Sequence, residues 1–326
     1  METIVNQTMD EERALYGRRD LTLRDCVFAG SADGESALKE CANIVAENVS
    51  FHLRYPCWHD HGVVLRNCEL TDTCRAPFWY SQSIHILNSR VHGVKAVREC
   101  SNVELLDSDI NSPEFGWSTR NITLRDCSGE GDYFLLRGEN LRLDRVKLRG
   151  KYAFQYTRGG LLTKCELETK DAFWHAMDLT ITDCVIRGEY LGWYSHNLTF
   201  INCTIIGTQP FCYCSNLRLI DCRMREADLS FERSHVHASL TEPILSIKNP
   251  LSGIIYVPEA GEIIRDIPEA RGEVRLGEAA PASKATGKKR HTQRRAKPPK
   301  APAKKAATPP PSPKEAKEPP EEKTEE

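Results

Sequence analysis

The stretch NITLRDCSG (Asn121–Gly129) returns with substitutions as NLRLDRVKL (Asn140–Leu148), DLTITDCVI (Asp178–Ile186), NLTFINCTI (Asn197–Ile205) and NLRLIDCRM (Asn216–Met224). Taking its Cys-like position as a pivot organises most of the chain. The pivots are Cys26, Val49, Cys68, Ser89, Ser108, Cys127, Val146, Cys165, Cys184, Cys203 and Cys222. From Ser89 to Cys222 every step is 19 residues, and the earlier steps are 23, 19 and 21. Repetition at such a period signals stacked supersecondary units, each unable to bury its apolar face alone.

The registers around the pivot say what each unit is. Three before it stand Leu23, Ala46, Leu65, Ile86, Leu105, Leu124, Leu143, Leu162, Ile181, Phe200 and Leu219. Five before it and two after it the residues are again apolar or Gly, and polar residues alternate with them, which is a short strand with one buried face. Six before it stand Asn43, Asn102, Asn121, Asn140, Asn197 and Asn216, residues that adopt left-handed turn geometry cheaply. No helix-length amphipathic segment fits between strands. Winding each repeat once stacks like on like at ~4.8 Å, and crossover preference makes the winding right-handed. The expected fold is all-β: a single-stranded right-handed parallel β-helix of about eleven coils. One after the pivot, Arg90 beside Asp109 and Lys147 beside Glu166 are expected to pair across coils.

The chain has 326 residues, with 14 Lys and Arg against 7 Asp and Glu in residues 275–326, leaving 30 against 39 in residues 1–274. The body is acidic and the tail basic. That tail holds ten of the 18 prolines and no aromatic residue, so it reads as disordered. Its basic part (Lys284–Lys305) suits polyanions or the acidic body itself. The organisation expected is an N-terminal cap at 1–16 (MDEERALY as a short helix), a β-helix at 17–230, a C-terminal cap at 231–274 and the tail at 275–326. No apolar run is long enough to span a membrane. Thirteen cysteines without a secretory signal point to a reducing compartment, the cytoplasm.

One surface stands out. All five tryptophans, Trp58, Trp79, Trp117, Trp174 and Trp193, lie ten before the next pivot. Nine before it come His59, Tyr80, Arg137, Tyr156, His175, Tyr194 and Tyr213, with Glu40, Glu99 and Ser118. The columns eleven and eight before are apolar or small and should face the core. The two between admit Lys39, Arg98 and Glu99, which are rarely buried unpaired, so they should form an outward ridge. Such a ridge suits a carbohydrate or other extended ligand stacking on ring faces, with Arg98 meeting an anion or a ring. It equally suits mutual stacking within the protein, or a homo-oligomeric contact.

Other constellations are weaker. Seven cysteines in one pivot column cannot form a tetrahedral metal site and read as core. Cys57-Trp58-His59-Asp60-His61 has zinc-loving residue types, but its spacing alternates faces. No metal and no cofactor is expected. Acid–base candidates are Asp107 with Asp126, His59 with Asp60, and Glu99 with Arg137 and His175. The first pair shares a column with Asn48, Asn67, Asn88 and Asn202, so a turn role is favoured there.

The stretches EERALYGRRDLTLRDC, RAPFWYSQSIHI, KDAFWHAMDLTITDCVIRGEYLGWYSHNLTFINCTI, LSFERSHVHA and SIKNPLSGII resemble an uncharacterised bacterial family, domain of unknown function 3737, of the pectin-lyase-like β-helix group. The resemblance spans residues 10–267. It implies the fold, and no activity with it. The functional expectation is binding of a carbohydrate on the ridge, the alternatives being a polysaccharide lyase or hydrolase on the same face, or a protein-interaction scaffold.

Overall fold

Strict alternation in the segment Arg120–Arg125 buries Ile122 and Leu124 completely and leaves Arg120, Asn121 and Arg125 exposed. In the computed structural model, which describes residues 2–32, 34–278 and 280, this strand is one rung of a stack. Ile122 is in register with Leu141, Leu141 with Gly160, and Gly160 with Leu179, each 19 residues on. Every pairing between strands is parallel, and a shorter strand such as Ser128–Glu130 stacks in its own ladder beyond each pivot. A turn-rich corner then returns the chain to the next coil. Inward columns merge into one continuous apolar core, including all eleven pivots at 5% exposure or less.

The turns follow from the residues. Asn43, Asn102, Asn121, Asn140, Asn197 and Asn216 all take φ between +51° and +57°. Their amides form a ladder: Asn121 Nδ2 donates to Asn102 Oδ1 at 2.9 Å, and Asn140 Nδ2 donates to Asn121 Oδ1 at 3.1 Å. The residues just before the pivots are left-handed as well, Asp107 and Asp126 among them (φ +48° and +53°). This bend leaves carbonyls inside the coil, which explains the pivot chemistry. Cys127 Sγ donates to the Arg125 and Leu105 carbonyls at 3.2 and 3.5 Å, and Ser108 Oγ donates to the Leu106 carbonyl at 2.7 Å. Small buried donors of either kind serve there, because the carbonyls in reach can take a second donor beside the backbone amide they already accept, from Asp107 at Arg125 and from Asn88 at Leu106, and so leave no buried donor unpaired.

The stack is longer than eleven coils, at about fourteen turns. The N-terminal region expected as a cap is a further coil, Glu2–Val5 pairing with Arg19–Arg24 and Thr8–Met9 with Val27–Phe28, and the MDEERALY stretch expected as a short helix is instead the turn-rich corner of that coil. Its pattern is faint because Glu2 and Gln7 occupy registers that are apolar or small elsewhere. The 231–274 region, expected as a C-terminal cap, is built of further strands and includes a two-stranded ladder of its own, Ile244–Lys248 with Ala260–Ile264. It continues the stack, Leu217 pairing with Val236, Ala238 with Ile255 and Ile254 with Glu273. A bulge between Leu219 and Cys222 shifts the register there. The step between buried partners then drops from 19 residues (Leu219 to Ala238) to 18 (Cys222 to Leu240) and 17 (Ala238 to Ile255), which is why the period fades in the sequence. The last strand, Glu273–Leu276, takes in the first residues assigned to the tail, and the tail from 281 onward lies outside the described residues. Among the described residues no helix is long and apolar enough to cross a membrane.

Of the two expected ion-pair steps, Lys147 and Glu166 meet at 3.5 Å. Arg90 turns the other way, to Glu69 at 3.6 Å, while Asp109 is held by His92 at 2.7 Å and by the Ser128 hydroxyl. At an exposed surface either arrangement is worth well under ~1 kcal/mol, so side-chain reach decides between neighbours.

Candidate functional site

The ridge is built by an unusual corner. In the seven coils whose pivots run from Ser108 to Cys222, left-handed residues stand thirteen, eleven and nine before the pivot, while the four earlier coils keep only the outer two; for Cys184 these are Asp171, Phe173 and His175, at φ +54°, +62° and +54°. The middle one points its side chain into the core, where Phe173 is fully buried. The last points out: His59, Tyr80, Arg137, Tyr156, His175 and Tyr194 are exposed, with Tyr213 half-buried. The five tryptophans between these two columns are half-buried. Bulky left-handed residues cost ~1–2 kcal/mol each, and the recurrence of the strain in coil after coil makes it architectural.

The rings stack on one another. Tyr156, His175, Tyr194 and Tyr213 form a continuous column with centroids 4.7, 5.2 and 4.8 Å apart and planes within 10°. Trp174 lies on Trp193 at 5.4 Å and 5°, and Trp58 on Trp79 at 5.6 Å and 13°. Cations cover other faces. Lys39 Nζ sits 4.0 Å above Trp58, and Arg98 is sandwiched 5.3 Å from Trp79 and 5.0 Å from Trp117. Arg137 lies 6.0 Å above Tyr156. The stacking platform expected for sugar faces is therefore largely occupied by the protein's own rings and cations. What the ridge shows to solvent is ring rims, phenol hydroxyls and imidazole nitrogens.

Two tryptophans are also pinned by hydrogen bonds. Trp174 Nε1 donates to the Tyr190 carbonyl at 2.7 Å, and Trp193 Nε1 to the Gln209 carbonyl at 2.8 Å. In the coil before, Gln155 Nε2 makes the same bond to the Asp171 carbonyl at 2.9 Å. This register staples one corner to the next, a structural duty apart from any ligand.

The acid–base candidates separate. Asp60 is 1% exposed, so it makes no surface pair with His59. Its Oδ1 accepts from the Cys41 amide at 2.8 Å, and burial, opposed only in part by hydrogen bonds, pushes its carboxyl up to about 8. His59 meets Glu40 instead, at 3.5 Å. Glu99, Arg137 and His175 share a column but are each two coils apart, ~10 Å per gap, too far to act on one bond. Asp126 is a turn residue clamped by Arg145 at 2.6 and 2.8 Å, and that guanidinium holds its carboxyl below the usual range. The residue types of the Cys57–His61 run divide as their spacing implies, Cys57 and Asp60 inward and His59 and His61 outward. Among the described residues no three His, Cys, Asp or Glu side chains gather to hold a metal.

Where the aromatic column thins, an open notch of about 450 Å³ is lined by Ser118, Arg120, Arg137, Glu139, Tyr156 and Arg158. Three of these stand seven before their pivots, a column not considered part of the ridge. The signal was present as Arg, Glu, Arg at successive 19-residue steps beside a ridge position reduced to Ser.

The sequence profile of a family described as protein of unknown function (DUF3737) matches residues 2–274. No curated protein sequence matches the chain. Among solved structures, it is similar to the surface adhesin PfbA of Streptococcus pneumoniae, at 10% identity over 68% of this chain and 69% of that one, with a TM-score of 0.31. The A-module of mannuronan C-5 epimerase AlgE4 from Azotobacter vinelandii matches at 8% identity over 83% and 88%, TM-score 0.29. HetL, a pentapeptide repeat protein from the cyanobacterium Nostoc, matches at 11% identity over 68% and 92%, TM-score 0.26.

Proposed function

The chain belongs to the DUF3737 family, and from that premise, which carries a β-helix fold and no reaction, we propose that it is a binding protein whose Tyr–His rim receives an extended carbohydrate. One observation carries the reading. The rim repeats a polar aromatic edge at 4.7–5.2 Å across four coils, from Tyr156 to Tyr213. An extended glycan advances ~5 Å per sugar, close to the ~4.8 Å coil step, so successive sugars meet successive edges. Since the faces are occupied, the contacts are hydrogen bonds from phenol and imidazole edges. A lyase or hydrolase on this face is less well supported. Such chemistry needs carboxylates ~5–9 Å apart, and rim carboxylates Glu40 and Glu99 lie three coils apart, on the order of 14 Å.

The test is a glycan-array screen followed by calorimetry on the full chain. A Tyr80→Phe, Tyr156→Phe, Tyr194→Phe, Tyr213→Phe variant keeps the ring stacks and removes the hydroxyls. We expect affinity for the oligosaccharide hit to fall at least tenfold with an unchanged melting temperature. Trp174→Ala and Trp193→Ala would be poor controls, because they also break the corner staples. The closed ring faces favour a second reading, a protein-interaction scaffold. It is preferred if no glycan binds and Tyr194→Arg changes the oligomeric state.

A further inference from the structure

The body of this protein is acidic, with 30 Lys and Arg against 39 Asp and Glu in residues 1–274. Cations on its surface are mostly spent on neighbours: Arg149 on Glu168 at 3.0 Å, Lys170 on Glu189 at 3.1 Å, Arg145 on Asp126 and Asp144. The notch beside the ridge gathers cations that are not so spent. Three exposed arginines, Arg120, Arg137 and Arg158, open onto it with one carboxylate, Glu139. Arg120 and Arg158 flank Glu139 on consecutive rungs. Among the described residues, neither has an ion pair or a side-chain hydrogen bond, and Arg137 only lies over the Tyr156 ring. The lining therefore has an excess of two positive charges and unused guanidinium donors, with Ser118 and the exposed Tyr156 as walls.

We infer that this notch is an oxyanion site, taking a carboxylate, sulfate or phosphate group carried by a ligand that lies along the rim. Guanidinium is permanently charged and its planar fork matches two oxygens of such a group. Ser118 lines the notch where its column elsewhere carries the larger side chains of His59, Tyr80, Tyr156, His175, Tyr194 and Tyr213. Arg120 and Arg158 are two coils apart, ~10 Å, so flexible side chains can close on one group from both sides. Glu139 between them repels an anion, but the three arginines outweigh it, and it sets the affinity lower than an all-arginine cradle would. The inference rests on the rim reading for its carbohydrate and names the class, an acidic rather than a neutral saccharide. The oxyanion itself depends only on the notch.

The experiment uses the full chain, wild type and the triple variant Arg120→Gln, Arg137→Gln, Arg158→Gln. Probes are sodium sulfate, inorganic phosphate, an oligogalacturonate, a sulfated oligosaccharide and a neutral cello-oligosaccharide, followed by calorimetry and by NMR of arginine Nε–Hε signals at constant ionic strength. The expected result is movement of the Arg120 and Arg158 signals with an anionic probe, at least tenfold weaker binding of that probe by the variant, and an unchanged melting temperature. Comparing the carboxylated, sulfated and phosphate probes identifies the source of the oxyanion. Sulfate or phosphate shifting those signals while no oligosaccharide binds would uphold the oxyanion site and remove the rim reading. Neutral and acidic oligosaccharides binding equally to wild type and variant would uphold the rim and overturn the site. Arginine signals unmoved by every anion would overturn it outright.

Discussion

At the scale of the residue, Asp60 is the position where ordinary rules are most visibly bent. In most other coils its column holds small donors: Ser81 Oγ donates to the Cys57 carbonyl at 2.7 Å, and Cys41 Sγ to the Leu15 carbonyl at 3.1 Å. Burial favours the protonated form of a carboxyl group in such a place and raises it from 3.8 to about 8. The sign of the linkage follows. Below pH ~4 both folded and unfolded forms are protonated and there is no penalty. Between pH 4 and 8 the unfolded carboxyl ionises and the folded one does not, so stability falls by up to ~1.4 kcal/mol per unit. Above 8 the loss levels off. Asp60→Asn, which keeps an acceptor for Cys41 and never ionises, should flatten this slope and be the more stable protein at pH 8. Denaturant melts of both proteins from pH 4 to 9 check it; parallel slopes would reject the assignment. The inward direction of Asp60 was legible, because its column mates Cys41, Cys100 and Cys214 mark the register as internal. Its neighbour His59 drew it into a surface pair only while the two were read as a dipeptide rather than as members of two columns.

At the scale of the element, the strand Arg120–Arg125 shows which features a linear pattern transmits. Ile122 and Leu124 declare the buried face, and Asn121 declares the left-handed entry, because apolar burial and turn propensity are properties of single residues. Ring orientation is different. Whether Tyr156 offers a face or a rim depends on the left-handed corner, at φ +60° for Phe154 and +56° for Tyr156, and no propensity of Phe or Tyr announces that geometry. The outward ridge is therefore readable from its residues, whereas the choice between rings stacked on one another and rings open to a ligand is not. The asparagine ladder allows a quantitative check on the legible part. Asn121 contributes its left-handed φ and two amide bonds, one given and one received. Asn121→Gly loses the bonds, ~1 kcal/mol, and keeps the backbone comfortable. Asn121→Ala loses the bonds and adds ~1 kcal/mol of left-handed strain. We expect Ala to destabilise about twice as much as Gly in urea melts, the reverse of the usual order in a strand. Equal losses would mean that the ladder, not the turn, is what asparagine supplies.

At the scale of the whole stack, stability is a sum over neighbouring coils, and its weak places are the ends. The segment Glu2–Val5 covers the edge of Arg19–Arg24, beneath which Leu21, Leu23 and Phe28 are fully buried. It is itself a poor template for further pairing: three of its four residues are exposed and Arg18 ties down Glu2 at 3.1 Å. Charged, short edges of this kind block strand addition. Removing residues 2–9 would replace that edge with an apolar one whose parallel geometry fits the far end of another copy. Such a contact is head-to-tail and does not close on itself, so it propagates. The truncated chain should therefore melt at a lower temperature and show concentration-dependent self-association by light scattering, growing beyond dimers. Restoring charge at the new edge, by Leu21→Lys in the truncated chain, should suppress the growth without recovering the lost stability. A monomeric truncated chain of unchanged melting temperature would show instead that the first coil adds little to the stack, and that protection of this end lies in the corner residues Asp10–Gly17.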